Sequence, residues 1–423
     1  MAGRNLFACL LLSTAVAAAG ADPKSDPKFT KGVEQAIARG VDYLLSKQAP
    51  NGKFPAFQDT RGEVYQLGMH TLATLAVMKG LGDPEAMACL KALRVMRQLY
   101  QRNKNMLKTY EAGLVLMVLD AKYHTDPRPG RKRPAKRKRP KRIDPKDLAL
   151  AKQLVTWLQR KQRPSGLWRY PELGQDMSNS QYAALGLWSA HRLGVAIDRG
   201  VVQRMLEETL KLQQPKGKRV PFIQDPRLTR GKYSDKTRSA STIMARGWRY
   251  LPEERVKGVD GKVRRIVYPY SGSMTSSGIA ILAVGRDILG KKDRWLTSGR
   301  DALLRKAMWE GLAWIQDNWD LGDNPGQPGN WPFYWIYGLE RCARLSGVEY
   351  VGAHDWFFEG ASRLLTDQKP NGAWPSHQRM RPPGNQNVRW WSDQVDTSFA
   401  ILFLTRSTPS IETPPPAITQ RSD

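Results

Sequence analysis

GAHDWFFEGASRLLTDQKPNGAWPS, residues 352–376, and WWSDQVDTSFAILFL, residues 390–404, form the pattern through which the rest of the chain can be read. A helix ends in Gln368, Asn371-Gly372 marks a turn, and the aromatic Trp374 follows. After a polar stretch comes a second helix, apolar on nearly all sides, which opens with Asp393 and Asp396. The first helix therefore has one face to bury, and the second has no face that suits water.

The same two-part unit returns along the chain. In the first copy, Val33, Ala36, Ile37, Val41, Leu44 and Leu45 share a helical face, Gln48 precedes Gly52 by four residues, and Phe54 follows. A second helix spans about 63–79. The second copy, with helices near 85–102 and 109–122, lacks the glycine-aromatic turn. The third repeats it in full as Gln162, Gly166 and Trp168, between helices at 147–161 and 179–193. In the fourth, Gln213 and Gly217 keep the spacing, but Phe222 comes late and a long insertion, residues 215–272, delays the second helix. The fifth has Trp319 at the glutamine position, and the opening stretch is the sixth. Six helical pairs of two alternating kinds predict an all-α (α/α)6 toroid, with an inner ring of apolar helices inside an outer ring of amphipathic ones. The last inner helix is as apolar as the middle ones, so the array is expected to close on itself instead of ending in a polar cap.

The 423 residues thus read as one domain at 22–406, preceded by a segment with the marks of a secretory signal peptide: Arg4, an apolar run from Leu6, and small residues at Ala19 and Ala21. Cleavage after Ala21 and export are expected, an uncleaved N-terminal anchor being the alternative. Only Cys89 and Cys342 lie beyond that segment, both within helical patterns, which is no disulfide framework. The formal charge is +28, and the stretch from Arg128 to Lys146 holds eleven Lys or Arg against one Asp. This Pro-broken run, within an insertion at 126–146, reads as a disordered loop, as does the tail 407–423. It could dock on an anionic envelope polymer or lipid surface. No aromatic residues interleave the charges, so specific nucleic-acid recognition is not expected.

The turn unit resembles the QW repeat of the squalene-hopene cyclase and prenyltransferase superfamily. The residues that carry the resemblance are Gln48-Gly52-Phe54, Gln162-Gly166-Trp168 and Gln368-Gly372-Trp374, with Gln213-Gly217 as a partial copy. The likeness spans about residues 32–406. It implies the toroid fold, with the glutamine capping the following helix and the aromatic packed against it, so these residues are structural. Segments such as AHDWFFEGA and VDTSFAILFL also resemble uncharacterised toroid proteins of bacterial envelopes.

For chemistry, the resemblance points to the DxDD motif that protonates the substrate in class II terpene cyclases. Asp393 and Asp396 match its first and last acids and are the candidate catalytic pair, but Val395 stands where the proton-delivering acid belongs. Valine cannot hold a proton, and Asp396-Thr397 also reads as a helix N-cap. The zinc-binding Asp-x-Cys of the prenyltransferase branch is missing, so no metal is expected, and no cofactor motif occurs. Glu63, Glu111 and Asp176 fall near the starts of inner helices and should face one mouth of the barrel. Together with Tyr110 and Tyr337 they are candidate ligand-binding residues. Three functions follow from this reading. The first is an exported toroid that binds a ligand or partner in its central cavity without cyclase activity. The second is a carbohydrate-active hydrolase or lyase using carboxylates at the mouth, and the third is a divergent class II cyclase.

Overall fold

The computed structural model describes residues 26–58, 64–124, 142–170, 175–221, 242–251, 254–257, 263–375 and 393–411. Within them are twelve α-helices. The odd-numbered ones are α1 (Pro27–Lys47), α3 (Met87–Asn103), α5 (Pro145–Lys161), α7 (Arg199–Lys211), α9 (Ser298–Asp317) and α11 (Trp356–Asp367). The even-numbered ones are α2 (Gln66–Leu81), α4 (Thr109–Tyr123), α6 (Met177–Arg192), α8 (Gly272–Leu289), α10 (Pro332–Ser346) and α12 (Asp393–Leu404). The even helices pack in succession, and α12 returns to α2, so they form a closed inner ring. Nearly every residue of α2, α8 and α12 is buried, whereas α1, α3 and α7 bury a single face. The chain is an α/α toroid.

Local chemistry sets the helix starts. Asp26, Asp144, Asp198, Thr297 and Asp355 cap five outer helices, each side chain accepting from a backbone N–H of the first turn. Pro27 and Pro145 occupy the adjoining position, where a missing N–H costs nothing. Three antiparallel hairpins fill the connections: β1 (Phe57–Gln58) with β2 (Val64–Tyr65), β3 (Lys218–Pro221) with β4 (Thr242–Ala245), and β5 (Glu254–Lys257) with β6 (Val263–Ile266).

The repeated turn ties the rings together through three sets of hydrogen bonds. First, the glutamine carboxamide donates to the carbonyl of its own turn and to a carbonyl of the next outer helix. Gln162 Nε2 reaches Gly166 and Val201 of α7, both at 2.8 Å, while its Oε1 accepts from Arg204. Gln48 does the same to Gly52 and to Ala88 of α3, and Gln368 to Gly372 and to Ala36 of α1. The glutamine therefore bridges outer helices and does not cap the inner helix that follows. Second, the indole N–H of Trp168 and of Trp374 donates to the carbonyl four residues before the glutamine, Leu158 or Leu364. Third, the backbone N–H of that tryptophan donates to an inner-helix hydroxyl, Ser180 or Thr397. Gly166 and Gly372 are needed twice over. Each has φ near +100°, at 108° and 86°, and a Cβ there would stand 2.3 Å from the carbonyl of Arg204 or Arg39 on the next outer helix.

The worn copies make the same connections with other groups. In the fourth, Gln213 Nε2 donates to Arg246 and to Ala307 of α9, and Trp248 donates its indole proton to Thr209 and its backbone N–H to Thr275. Arg246-Gly247-Trp248, delivered by β4, therefore completes the turn. Gly217 instead lies against the Ala245 carbonyl where the β3–β4 hairpin begins, and Phe222 lies outside the described residues. In the fifth, Trp319 donates to Glu359 of α11 and stacks on His354 at 4.3 Å. In the second, Arg97 of α3 pairs with the buried Asp147 of α5 at 2.5 Å, joined by Lys122 and Tyr123 of α4. Burial alone would raise the Asp147 carboxyl, but these three donors outweigh it and hold it below its usual range.

Two segments expected as disordered fall partly within the described residues. Of the tail, residues 407–411 are placed. Thr408 donates from its backbone and its hydroxyl to Glu340, and Arg344 donates to the Thr408 carbonyl. The end of the basic insertion belongs to α5, with Asp144 as cap and Lys146 in the first turn. The rest of that run and the signal-like segment lie outside the described residues. Among those described, no helix is long and apolar enough to cross a membrane.

Trp248→Phe should lower stability by about 1–3 kcal/mol, the cost of leaving the buried Thr209 carbonyl without its indole donor. Trp168→Phe should lower it similarly. Urea unfolding measures both, and an unchanged midpoint for Trp248→Phe would remove it from the repeat. In the first copy the inner-helix acceptor is His70, whose Nδ1 accepts from the Phe54 N–H while Nε2 donates to Ala92. Burial lowers its pKa from 6.5 to about 4. The neutral ring's contribution is complete above pH 6.5 and is lost as pH falls toward 4, a difference of roughly 3 kcal/mol. The stability gap between wild type and His70→Gln should narrow across that window in thermal unfolding.

Candidate functional site

The inner helices begin at one end of the ring, and a cluster of tyrosines gathers there. Tyr110 enters from the first turn of α4, Tyr182 from α6, and Tyr334 and Tyr337 from α10. Tyr170 comes from the turn before α6, and Tyr250 and Tyr268 from the connection between α7 and α8. Tyr110 lies 6.1 Å from Tyr170 and 6.4 Å from Tyr182, which stacks on Tyr334 at 6.5 Å. Tyr334 and Tyr337 both pack on Phe399 of α12, at 5.6 and 5.7 Å. Aromatic rings from α6, α10 and α12 therefore meet across the axis. The phenols are polar despite their burial. The Tyr334 hydroxyl is 3.0 Å from that of Ser178 and accepts a short hydrogen bond from Gln181.

Asp176 is the acid of this mouth. It caps α6, accepting from the backbone and side-chain amides of Asn179 at 2.7 and 3.0 Å. Burial raises its pKa to about 7, against the lowering effect of those bonds. Burial also raises the Tyr250 phenol, and the nearby Asp176 charge raises it further. A carboxyl in this state holds its proton for a large part of the time at neutral pH and can donate it.

At the base of the cluster lies Arg341 of α10, 1% exposed. Its guanidinium carbon is 4.2 Å from the ring centre of Tyr337, 5.5 Å from Tyr182 and 5.8 Å from Tyr334. Among the described residues its nitrogens meet no carboxylate or carbonyl, and the phenols of Tyr182 and Tyr337 are the polar groups beside them. Three cation–π contacts return about 1–2 kcal/mol each, against a burial cost of several kcal/mol for an unpaired cation. The sequence reading passed over this residue. The available signal was the charged group Glu340, Arg341 and Arg344, in LERCARL, within an inner helix whose other residues are mostly apolar.

The other candidates are placed as follows. Tyr337 lies beneath the guanidinium, and burial raises its pKa to about 12. Glu111 is spent on structure, accepting from the backbone of Lys108 and from Gly68 of α2, and burial raises its carboxyl. Asp393 accepts from Lys369 at 3.1 Å and lies near Tyr43 of α1, which directs it toward the outer layer. Asp396 is buried within the first turn of α12 and is not its cap. Thr397 beside it serves the Trp374 turn. Val395 is buried between the two acids. Glu63 lies outside the described residues. Among those described, no three His, Cys, Asp or Glu side chains come together as a metal site. Toward the opposite end of the ring, a cleft with room for about 30 Å³ of water is lined by Lys79, Asp120, Trp188, Ser407 and Thr408, and by Tyr337, which it shares with the tyrosine cluster.

No protein-family model matches the chain, and no curated protein sequence matches it. Solved structures do. The type II terpene cyclase MstE from Scytonema is similar over 89% of this chain and 98% of its own, at TM-score 0.51 and 12% identity. The GH76A α-1,6-mannanase of Salegentibacter sp. HEL1_6 is similar over 90% and 99%, at 0.52 and 10%. An inactive variant of that mannanase, in complex with α-1,6-mannotetrose, gives 0.54 and 11% over 89% and 98%. At such identities the likeness is one of fold, and the same toroid carries both terpene and glycan chemistry.

Asp176→Asn gives a test with a defined sign. The folded carboxyl titrates near 7 and the unfolded one near 3.8, so the native state binds the extra proton between those values. Its contribution falls as pH rises from about 4 to 7. The stability of Asp176→Asn relative to wild type should therefore increase across that window in thermal unfolding, then level off. A flat difference curve would show an ordinary surface-like carboxyl.

Proposed function

We propose that this chain is an exported toroid that binds a ligand at the tyrosine-lined mouth of its inner ring and does not carry out proton-initiated cyclisation. The carrying observation is the pair formed by Val395 and Arg341. Valine occupies the position of the proton donor, and a permanent cation lies at the base of the cluster. A carbocation forming about 8 Å from a guanidinium meets roughly 2 kcal/mol of repulsion at an effective dielectric of about 20. The tyrosine faces that would stabilise it already cover Arg341. The buried, hydroxyl-bearing wall of Tyr110, Tyr182 and Tyr334 suits a ligand with both apolar and polar surface.

Incubation of purified protein with squalene should give no cyclic product. Conversion that is abolished by Asp396→Asn would overturn the reading. For binding, a small-molecule panel scored by thermal shift should return ligands that stabilise wild type and fail to stabilise Tyr110→Ala.

A second reading rests on Asp176. A carboxyl with a pKa near 7 at a tyrosine-rich mouth suits a general acid for glycoside cleavage. Activity on a polysaccharide panel should then fall at least 100-fold in Asp176→Asn, with Asp393→Asn and Asp396→Asn testing the remaining candidates. Silence across a broad panel counts against this reading.

A further inference from the structure

We infer that the ligand of the tyrosine mouth carries an oxyanion, a carboxylate or phosphate group, which Arg341 receives at the base of the cluster. The inference rests on the mouth being the binding site. The Arg341 side chain runs back along α10 toward its N-terminal end, since one terminal nitrogen lies 4.0 Å from where a Cβ on Gly338 would stand. The guanidinium is therefore aimed up the axis into the tyrosines. It is 1% exposed, and among the described residues its nitrogens meet no carboxylate or carbonyl, the phenols of Tyr182 and Tyr337 being the polar groups beside them. The carboxylate next to it in sequence is engaged elsewhere, because both Glu340 oxygens accept from Thr408. A second buried donor is the Gln394 Nε2, without a partner among the described residues, in the first turn of α12.

A guanidinium does not lose its proton inside a protein, and aromatic faces satisfy its charge without satisfying its N–H groups. Its planar fork matches two oxygens of a carboxylate or phosphate. An arginine kept here for stability alone would be better replaced by an apolar side chain of similar length. That contrast makes the idea testable without knowing the ligand.

Wild type, Arg341→Met and Arg341→Lys would be unfolded thermally in inorganic phosphate, pyrophosphate or acetate, against chloride at matched ionic strength. The oxyanions should raise the wild-type Tm by several degrees beyond chloride. The gain should vanish in Arg341→Met and shrink in Arg341→Lys, which keeps the charge but loses the fork. In chloride, Arg341→Met should unfold at the wild-type temperature or above. A larger response to phosphate and pyrophosphate than to acetate identifies a phosphate group, and the reverse identifies a carboxylate. No response in wild type, an equal response in Arg341→Met, or a clearly lower Tm of Arg341→Met in chloride overturns the inference. A neutral ligand whose stabilisation is lost in Tyr110→Ala but kept in Arg341→Met overturns it too, and leaves the mouth itself standing as the binding site.

Discussion

The constraint on which everything else depends is the carbonyl that four of the outer helices, α1, α3, α7 and α9, offer to the glutamine of the turn before them. A helix carbonyl already bonded within its own helix can accept once more, and the glutamine carboxamide uses that capacity without disturbing the helix. Each such bond is worth only about 1 kcal/mol. Its effect is geometric, because it fixes the spacing of neighbouring outer helices. The bond from Gln368 to Ala36 joins residues 332 apart in sequence and closes the outer ring. With the perimeter set, six apolar helices are held close enough for rings from α6, α10 and α12 to touch across the axis. The aromatic mouth is thus a product of the same links that make the fold.

The fold was legible because its signal is local. Glutamine, glycine and an aromatic residue within seven residues make one turn, and three good copies define the repeat. Where other chemistry makes the link, the reading failed. Arg97 and Asp147 are separated by the basic insertion, and nothing in either helix marks them as substitutes for a carboxamide. Trp248 was hidden for a related reason. The insertion moved it 35 residues from Gln213, so the fixed spacing no longer found it, although its hydrogen bonds match those of Trp168.

The site was less legible, because it depends on side-chain direction. Carboxylates at inner-helix starts looked alike in sequence. The structure separates them by what they touch: Glu111 links the start of α4 to α2 through two backbone N–H groups, Asp393 meets a lysine, and Asp176 stays within its own first turn on Asn179, with burial raising the proton affinity of both Glu111 and Asp176. Burial here works in two opposite ways. It makes Asp176 a better proton carrier while leaving Arg341 charged with no carboxylate beside its guanidinium, so the mouth combines an acid that can be neutral with a base that cannot.

One feature of the path of the chain bears on how the molecule can be held. The inner helices end, and the outer helices begin, on the face opposite the tyrosines. Pro27, at the start of α1, and Thr405, just past α12, both belong to that face. So do Tyr123 and Asp144, the flanks of the lysine- and arginine-rich connection, which are pinned to each other by a hydrogen bond of 3.1 Å. A support attached beside Pro27, Thr405 or the Tyr123–Asp144 pair would therefore hold the ring by the face opposite the tyrosines.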